Sequence, residues 1–142
     1  MSDDILSLAA PYIGLPFKRG GRDRTGLDCW GLVRMVLHDR KGLVLPSYDH
    51  CDNEADAIKA AKRGGDWISV TSPQAFDVMV MLTPVAGFGV APLHVGVMLS
   101  PRMVLHVDEG GRSECVPASA RHIRTRFESY HRHKDLIERA AA

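Results

Sequence analysis

Two hydrophobic periods divide the chain. As far as Gly64 the apolar residues recur at helical spacing, and after Gly65 they fall into short β-type runs. Ser2 or Asp3 caps a first predicted helix that runs through Ala10, with Asp3 and Asp4 at its positive end and Pro11 and Gly14 ending it. The second helix is marked more sharply. Asp28 stands at its N-cap, Cys29, Leu32, Val33, Val36 and Leu37 form one inward face, and Lys41 then Gly42 close it. A third helix, Glu54 to Arg63, starts from Asn53, carries Lys59, Lys62 and Arg63 toward its negative end, and stops at Gly64.

The later runs are Trp67 to Val70, Asp77 to Leu82, His94 to Leu99, Met103 to Val107, Glu114 to Val116 and Arg126 to Tyr130. Ser100 and Pro101 separate the third run from the fourth, and Gly110 and Gly111 the fourth from the fifth. Helices followed by strands predict an α+β fold with an antiparallel sheet of about five to six strands. A chain of 142 residues makes one domain, read as residues 1–142, with 119–142 as a peripheral docking tail and Ala140 to Ala142 frayed.

Composition narrows the function without naming it. The net charge of +1 gives no reason to expect nucleic acid as a partner. From Val78 to Pro101 there is no charged Asp, Glu, Lys or Arg, yet Pro84, Gly87, Gly89, Pro92, His94 and Gly96 break the stretch, which reads as two buried strands joined by a loop and not as a membrane span. Cys29, Cys51 and Cys115 form no CxxC pair, and the chain opens Met1, Ser2, Asp3, Asp4 in place of a basic and apolar leader. Three thiols in a protein made in the reducing cytoplasm are expected, with packaging in a particle as a route of export.

The chemistry gathers at three residues. Cys29 lies in the first turn of a helix, where the macrodipole and unpaired amides lower a thiol pKa from about 8.5 toward roughly 3.5 to 7.5. A hairpin centred on Ser100 places His94 directly opposite His106, and a two-residue slip keeps both on one face as diagonal neighbours. Two imidazoles in apolar strands are costly unless they are used. Cys29 is therefore read as nucleophile, His94 as base and His106 as orienter, with first-turn amides as the oxyanion hole. Geometry on paper does not separate the two histidine roles.

The stretch Gly14, Leu15, Pro16, Phe17, then Gly20 and Gly21, then Gly26 to Val33 around Cys29 resembles the nucleophile motif of the NlpC family of cell-wall cysteine peptidases. Asp77 to Met81 resembles the strand before the family's histidine, His94 to Met98 the histidine strand, and His106 falls at the third catalytic position. The resemblance covers roughly residues 1 to 110. It implies a papain-like fold and hydrolysis of an amide in the peptidoglycan stem peptide through an acyl-enzyme, without metal or cofactor. Phe17 stands where members usually carry Tyr, Trp30 where a small residue is common, and Phe76 where a glycine is usual. Phe17, Asp28, Trp30 and Arg22 are the expected substrate-side residues. Gly31 and Leu32 after Trp30, with no leader or wall-binding module, resemble the phage-tail members, which implies tail-tip or baseplate neighbours as partners. The alternatives are a structural tail-tip protein with little hydrolysis, and an amidase or acyltransferase using the same triad.

Two further segments have competing readings. The basic, Gly-rich loop Lys18 to Arg24 lacks the Lys then Ser or Thr of a phosphate loop and is read as shaping the groove beside Cys29, with Arg22 or Arg24 toward substrate carboxylates. Arg121 to Lys134 is read as a solvated basic surface or a docking strip for an acidic partner. Zinc held by Cys29, His94 and His106 is the competing chemistry for the triad, disfavoured because the sole short-spaced ligand pair is His131 and His133.

Overall fold

In the computed structural model, which describes residues 3–48, 54–87 and 89–141, the helical half places one long element against a sheet. The expected cap residues Ser2 and Asn53, together with Cys51 and Ala142, lie outside the described residues. Helix α1 (Asp3–Ala9) passes into a 3-10 turn over Ala10–Tyr12. A two-strand ribbon, β1 (Arg22–Asp23) and β2 (Gly26–Leu27), forms within and beyond the loop expected at Lys18 to Arg24. Helix α2 (Cys29–Lys41) follows, and α3 (Glu54–Arg63) completes this half.

The ends of α2 follow from its sequence. The Asp28 carboxylate accepts the Gly31 amide at 2.8 Å, and Gly42 closes the helix at φ 64, a left-handed conformation suited to glycine. Leu32, Val33, Val36 and Leu37 are fully buried, each worth about 1.5–3 kcal/mol in area removed from water. Gly31 has a different reason. A Cβ there would lie 2.2 Å from the Gly21 carbonyl oxygen, so only glycine lets the first turn of α2 sit against the preceding loop.

The remaining strands are β3 (Trp67–Val70), β4 (Val78–Val85), β5 (Gly89–Met98), β6 (Met103–His106), β7 (Glu114–Pro117) and β8 (Phe127–His133), with α4 (Arg121–Arg124) before β8 and α5 (Lys134–Ala141) after it. The six pair antiparallel in the order β3-β8-β4-β5-β6-β7. Alternation splits the sheet into two faces. Val78, Val80, Val95, Val97 and Leu105 join the core containing α2, whereas Met79, Met81, Met98 and Val104 pack with Ile123 of α4.

Two expectations are corrected here. The strands on either side of Gly87 are longer than expected, because Pro84 and Pro92 are accommodated. The β4–β5 register shifts between Met81 and Leu82, and Pro84, paired with Val90 of β5, lies beyond the last β4–β8 pair, where β4 has an open edge that tolerates proline. The segment read as a solvated or docking strip is corrected in part, since Arg121, His122, Arg124 and Lys134 are exposed. Its Phe127–His133 stretch is an interior strand, paired to β3 on one side and β4 on the other. Arg132 makes a two-pronged bond to Asp77 at 2.8 Å on both arms, and Asp77 is fully buried. The terminal segment expected to fray is helical through Ala141.

Candidate active site

Cys29 is the first residue of α2 and 3% exposed, placed there because Asp28 caps the helix immediately before it. Among the described residues no disulfide forms, and Cys115 on β7 is a second buried thiol. Burial pushes the Cys115 thiol up, the opposite of what a nucleophile needs.

The two histidines meet. His94 Nε2 lies 2.8 Å from His106 Nδ1, with the rings near perpendicular at 78° and the side chains 4% and 2% exposed. The register differs from direct opposition. Val97 pairs with Leu105 and Met98 with Val104, so His94 and His106 are the diagonal neighbours of a two-residue slip, and Gly96 faces His106. A Cβ on Gly96 would lie 2.8 Å from Val104 Cγ2 and 3.2 Å from His106 Cβ. Glycine there leaves the space in which the imidazole rests.

Two residues after His106, just past the end of β6, Asp108 also reaches the pair, a residue the sequence reading missed. Its carboxylate lies 3.5 Å from His94 Nε2 and 3.7 Å from His106 Nδ1, beside the bond between the rings. Arg126 holds it from the far side, with Nη1 donating to Asp108 at 3.0 Å, Nη2 to Thr83 Oγ1 at 3.1 Å and Nε to the Leu82 carbonyl at 3.0 Å. Burial drives the His94 pKa from 6.5 to about 3, with the charges of His106 and Arg126 adding to the fall and Asp108 opposing it. His106 is also lowered, by burial first, against the pull of Asp108 and Glu114. Burial alone would raise the Asp108 carboxyl, but His94 and the Arg126 bond and charge outweigh it and leave it below its ordinary value. Both imidazoles are therefore neutral near pH 7, each carrying one ring proton.

The expected substrate-side residues separate. Asp28 accepts from Gly31, from the Gly20 amide at 3.1 Å and from Arg22 Nη1 at 2.7 Å. Arg22 also donates to the Ser47 carbonyl at 2.8 Å, so these two side chains pin the glycine loop and the later chain to the start of α2. Trp30 is 3% exposed, donates through Nε1 to the Pro46 carbonyl at 2.9 Å and packs edge-on to Trp67. Phe17 is half-buried and bridges to Leu27. Among the described residues, the groups of three side chains able to share a metal are His94, His106, Asp108 and His106, Glu114, His122. The set Cys29, His94 and His106 is not among them.

A helix opening on a capped cysteine, laid on an antiparallel sheet whose neighbouring strands β5 and β6 carry paired histidines, is the α+β architecture of the papain-like class. Residues 14–132 match the model of the NlpC/P60 family, and the chain belongs to that family. Among solved structures it is similar to the NlpC/p60 domain of peptidoglycan hydrolase SagA, at 22% identity and a TM-score of 0.58 over 89% of this chain and 94% of that one. It is also similar to a lipoprotein-like NLP/P60 family protein from Staphylococcus aureus subsp. aureus Mu50, at 23% identity and TM-score 0.61 over 94% of this chain and 42% of that one. A third is an NlpC/P60 family protein from Bacillus cereus ATCC 10987, at 18% identity and TM-score 0.64, covering 92% of this chain and 39% of that one. No curated protein sequence matches the chain. No helix among the described residues is long and apolar enough to cross a membrane.

Proposed function

We propose that the protein is a cysteine peptidase that cleaves amide bonds in peptidoglycan stem peptides. The observation that carries this reading is the 2.8 Å bond between His94 Nε2 and His106 Nδ1 in a domain whose capped helix begins with Cys29. In the productive tautomer His94 donates from Nε2 to His106 Nδ1, which leaves the His94 Nδ1 lone pair for the thiol proton. The sulfur attacks the carbonyl carbon, and the tetrahedral oxyanion is met by first-turn amides of α2 other than that of Gly31, which Asp28 already holds. Collapse expels the amine, which takes the proton from His94. Water, giving a proton to His94, then attacks the thioester and restores the thiol. Asp108, held by Arg126, stabilises the imidazolium that forms on His94 between these steps.

Asp28, Arg22 and Trp30 act in this reading by building the site, and Phe17 keeps the substrate side. We place the protein at the tip of a phage or phage-like tail, made in the cytoplasm and carried with neighbouring tail proteins, on the motif resemblance around Cys29. The test begins with Cys29→Ala, which should fold but release no stem-peptide fragments from purified wall; continued release would refute the assignment. Mass spectrometry of the digest identifies the bond and separates endopeptidase from amidase or acyltransferase products. Finding the chain in purified tail particles supports the location, and finding it only in the soluble cell fraction refutes it.

A further inference from the structure

His106 has a second ring nitrogen that the relay to His94 does not use. Nε2 of this 2% exposed side chain is, among the described residues, the one buried side-chain polar atom without a hydrogen-bond partner. Two other possible ligand atoms lie close to it. Glu114 Oε2 lies 3.7 Å from it, and His122 Nε2 lies 3.3 Å from the same carboxylate oxygen. All three donor atoms fall within 4.8 Å of one another. Two ligand atoms about 2.0–2.1 Å from a tetrahedral ion stand about 3.3–3.4 Å apart; the Glu114–His122 pair has that spacing at 3.3 Å, and the His106–Glu114 pair at 3.7 Å needs to close by a few tenths of an ångström.

We propose that His106 Nε2, Glu114 Oε2 and His122 Nε2 form a site for a divalent transition-metal ion, with zinc the best match, and that metal bound there switches the catalytic relay off. Two imidazoles and one carboxylate suit zinc and its neighbours, not magnesium or calcium. Glu114 and His122 are 41% and 56% exposed, so an ion reaches the site from solvent, while the third ligand lies at its buried floor. The other group of three, His94, His106 and Asp108, does not suit one ion. Its two nitrogens are already bonded at 2.8 Å, closer than two ligands of a tetrahedral centre stand.

The switching step rests on the peptidase reading and follows from proton placement. Catalysis needs the His106 proton on Nε2, so that Nδ1 accepts from His94. A metal needs the Nε2 lone pair, so the proton moves to Nδ1 and is donated to His94 Nε2. The His94 proton then moves to its own Nδ1, where it blocks acceptance of the thiol proton. Each ring keeps one proton, and only the direction of the bond between them is reversed.

The test uses the full chain in metal-free buffer, with cobalt(II) and zinc as probes. The wild type and Cys29→Ala should each bind one ion per chain, with cobalt showing visible tetrahedral bands and no sulfur-to-cobalt charge-transfer band. His122→Ala and Glu114→Gln should bind at least about tenfold more weakly. Binding unchanged in both variants, or a charge-transfer band that Cys29→Ala removes, overturns the site. Saturating zinc should slow wall hydrolysis at least about tenfold in the wild type and less than about twofold in His122→Ala at the same zinc concentration. Full activity of zinc-loaded wild type overturns the switch. Absence of hydrolysis from metal-free wild type counts against the peptidase reading instead, and the binding measurements still decide the site.

Discussion

Gly96 carries no side chain, and the two imidazoles depend on that. A methyl at this position would press on Val104 Cγ2 at 2.8 Å, the Leu105 carbonyl at 3.0 Å and His106 Cβ at 3.2 Å. Gly96→Ala should lose about 1–3 kcal/mol of stability and displace His106, so Cys29 alkylation at acidic pH should slow even in protein shown by circular dichroism to be folded. Alkylation at the wild-type rate would mean that Gly96 does not set the histidine geometry. His94→Ala should reduce wall hydrolysis nearly as far as Cys29→Ala. His106→Ala should lose less, because water can partly replace an orienter; steady-state rates on purified wall check the order. Cys115 is the internal control, since burial raises its thiol and it should react with iodoacetamide only as the pH rises.

At the scale of elements, the strand nearest the C-terminus carries unexpected weight. β8 lies between β3 and β4, and the Arg132 guanidinium is the ion-pair partner of the fully buried Asp77 carboxylate. Arg132→Leu should destabilise the fold by about 3–5 kcal/mol, because it leaves that carboxylate buried and unpaired. A loss below about 1 kcal/mol in urea denaturation would show the pair to be dispensable. Deleting everything after Tyr130 removes the β8 residues that pair with Trp67, Ile68 and Ser69, together with α5. The truncated chain should be insoluble or markedly less stable, not an active enzyme that merely fails to dock.

For the whole molecule, the buried histidines couple stability to pH. His94 titrates at about 3 when folded against 6.5 as an ordinary group, and His106 shifts the same way. Between those values the unfolded chain binds more protons than the folded one, so stability rises with pH across this window. The contribution is fully present above about pH 6.5 and is lost as the pH falls toward 3. Tm should therefore decline from pH 7 to pH 5, and the decline should be shallower in His94→Gln. An equal slope in the two proteins would show that His94 is not the group responsible.

Much of the candidate site was legible along the chain, because its signals are local. Asp28 before Cys29 writes the helix start through one side-chain bond to Gly31, and the break at Ser100 and Pro101 brings His94 and His106 to one face under either register. The periods of apolar residues likewise placed α2 and most of the strands. What the sequence could not supply were relations set by packing at long range. The two-residue register shift between the histidine strands, the approach of Asp108 to both rings, the Arg126 and Arg132 side chains turned to carboxylates distant in sequence, and the burial of Trp30 all depend on which surfaces meet. Basic residues in β8 look like solvent-facing charge in one dimension, since composition does not reveal a buried partner 55 residues away. The sequence by itself determined the elements and the candidate reactive groups, because capping and periodicity act within a few residues. The tertiary structure decided which polar groups are paired, which are buried and which nitrogen of His106 remains to be used, because those depend on the exclusion of water at contacts between distant segments.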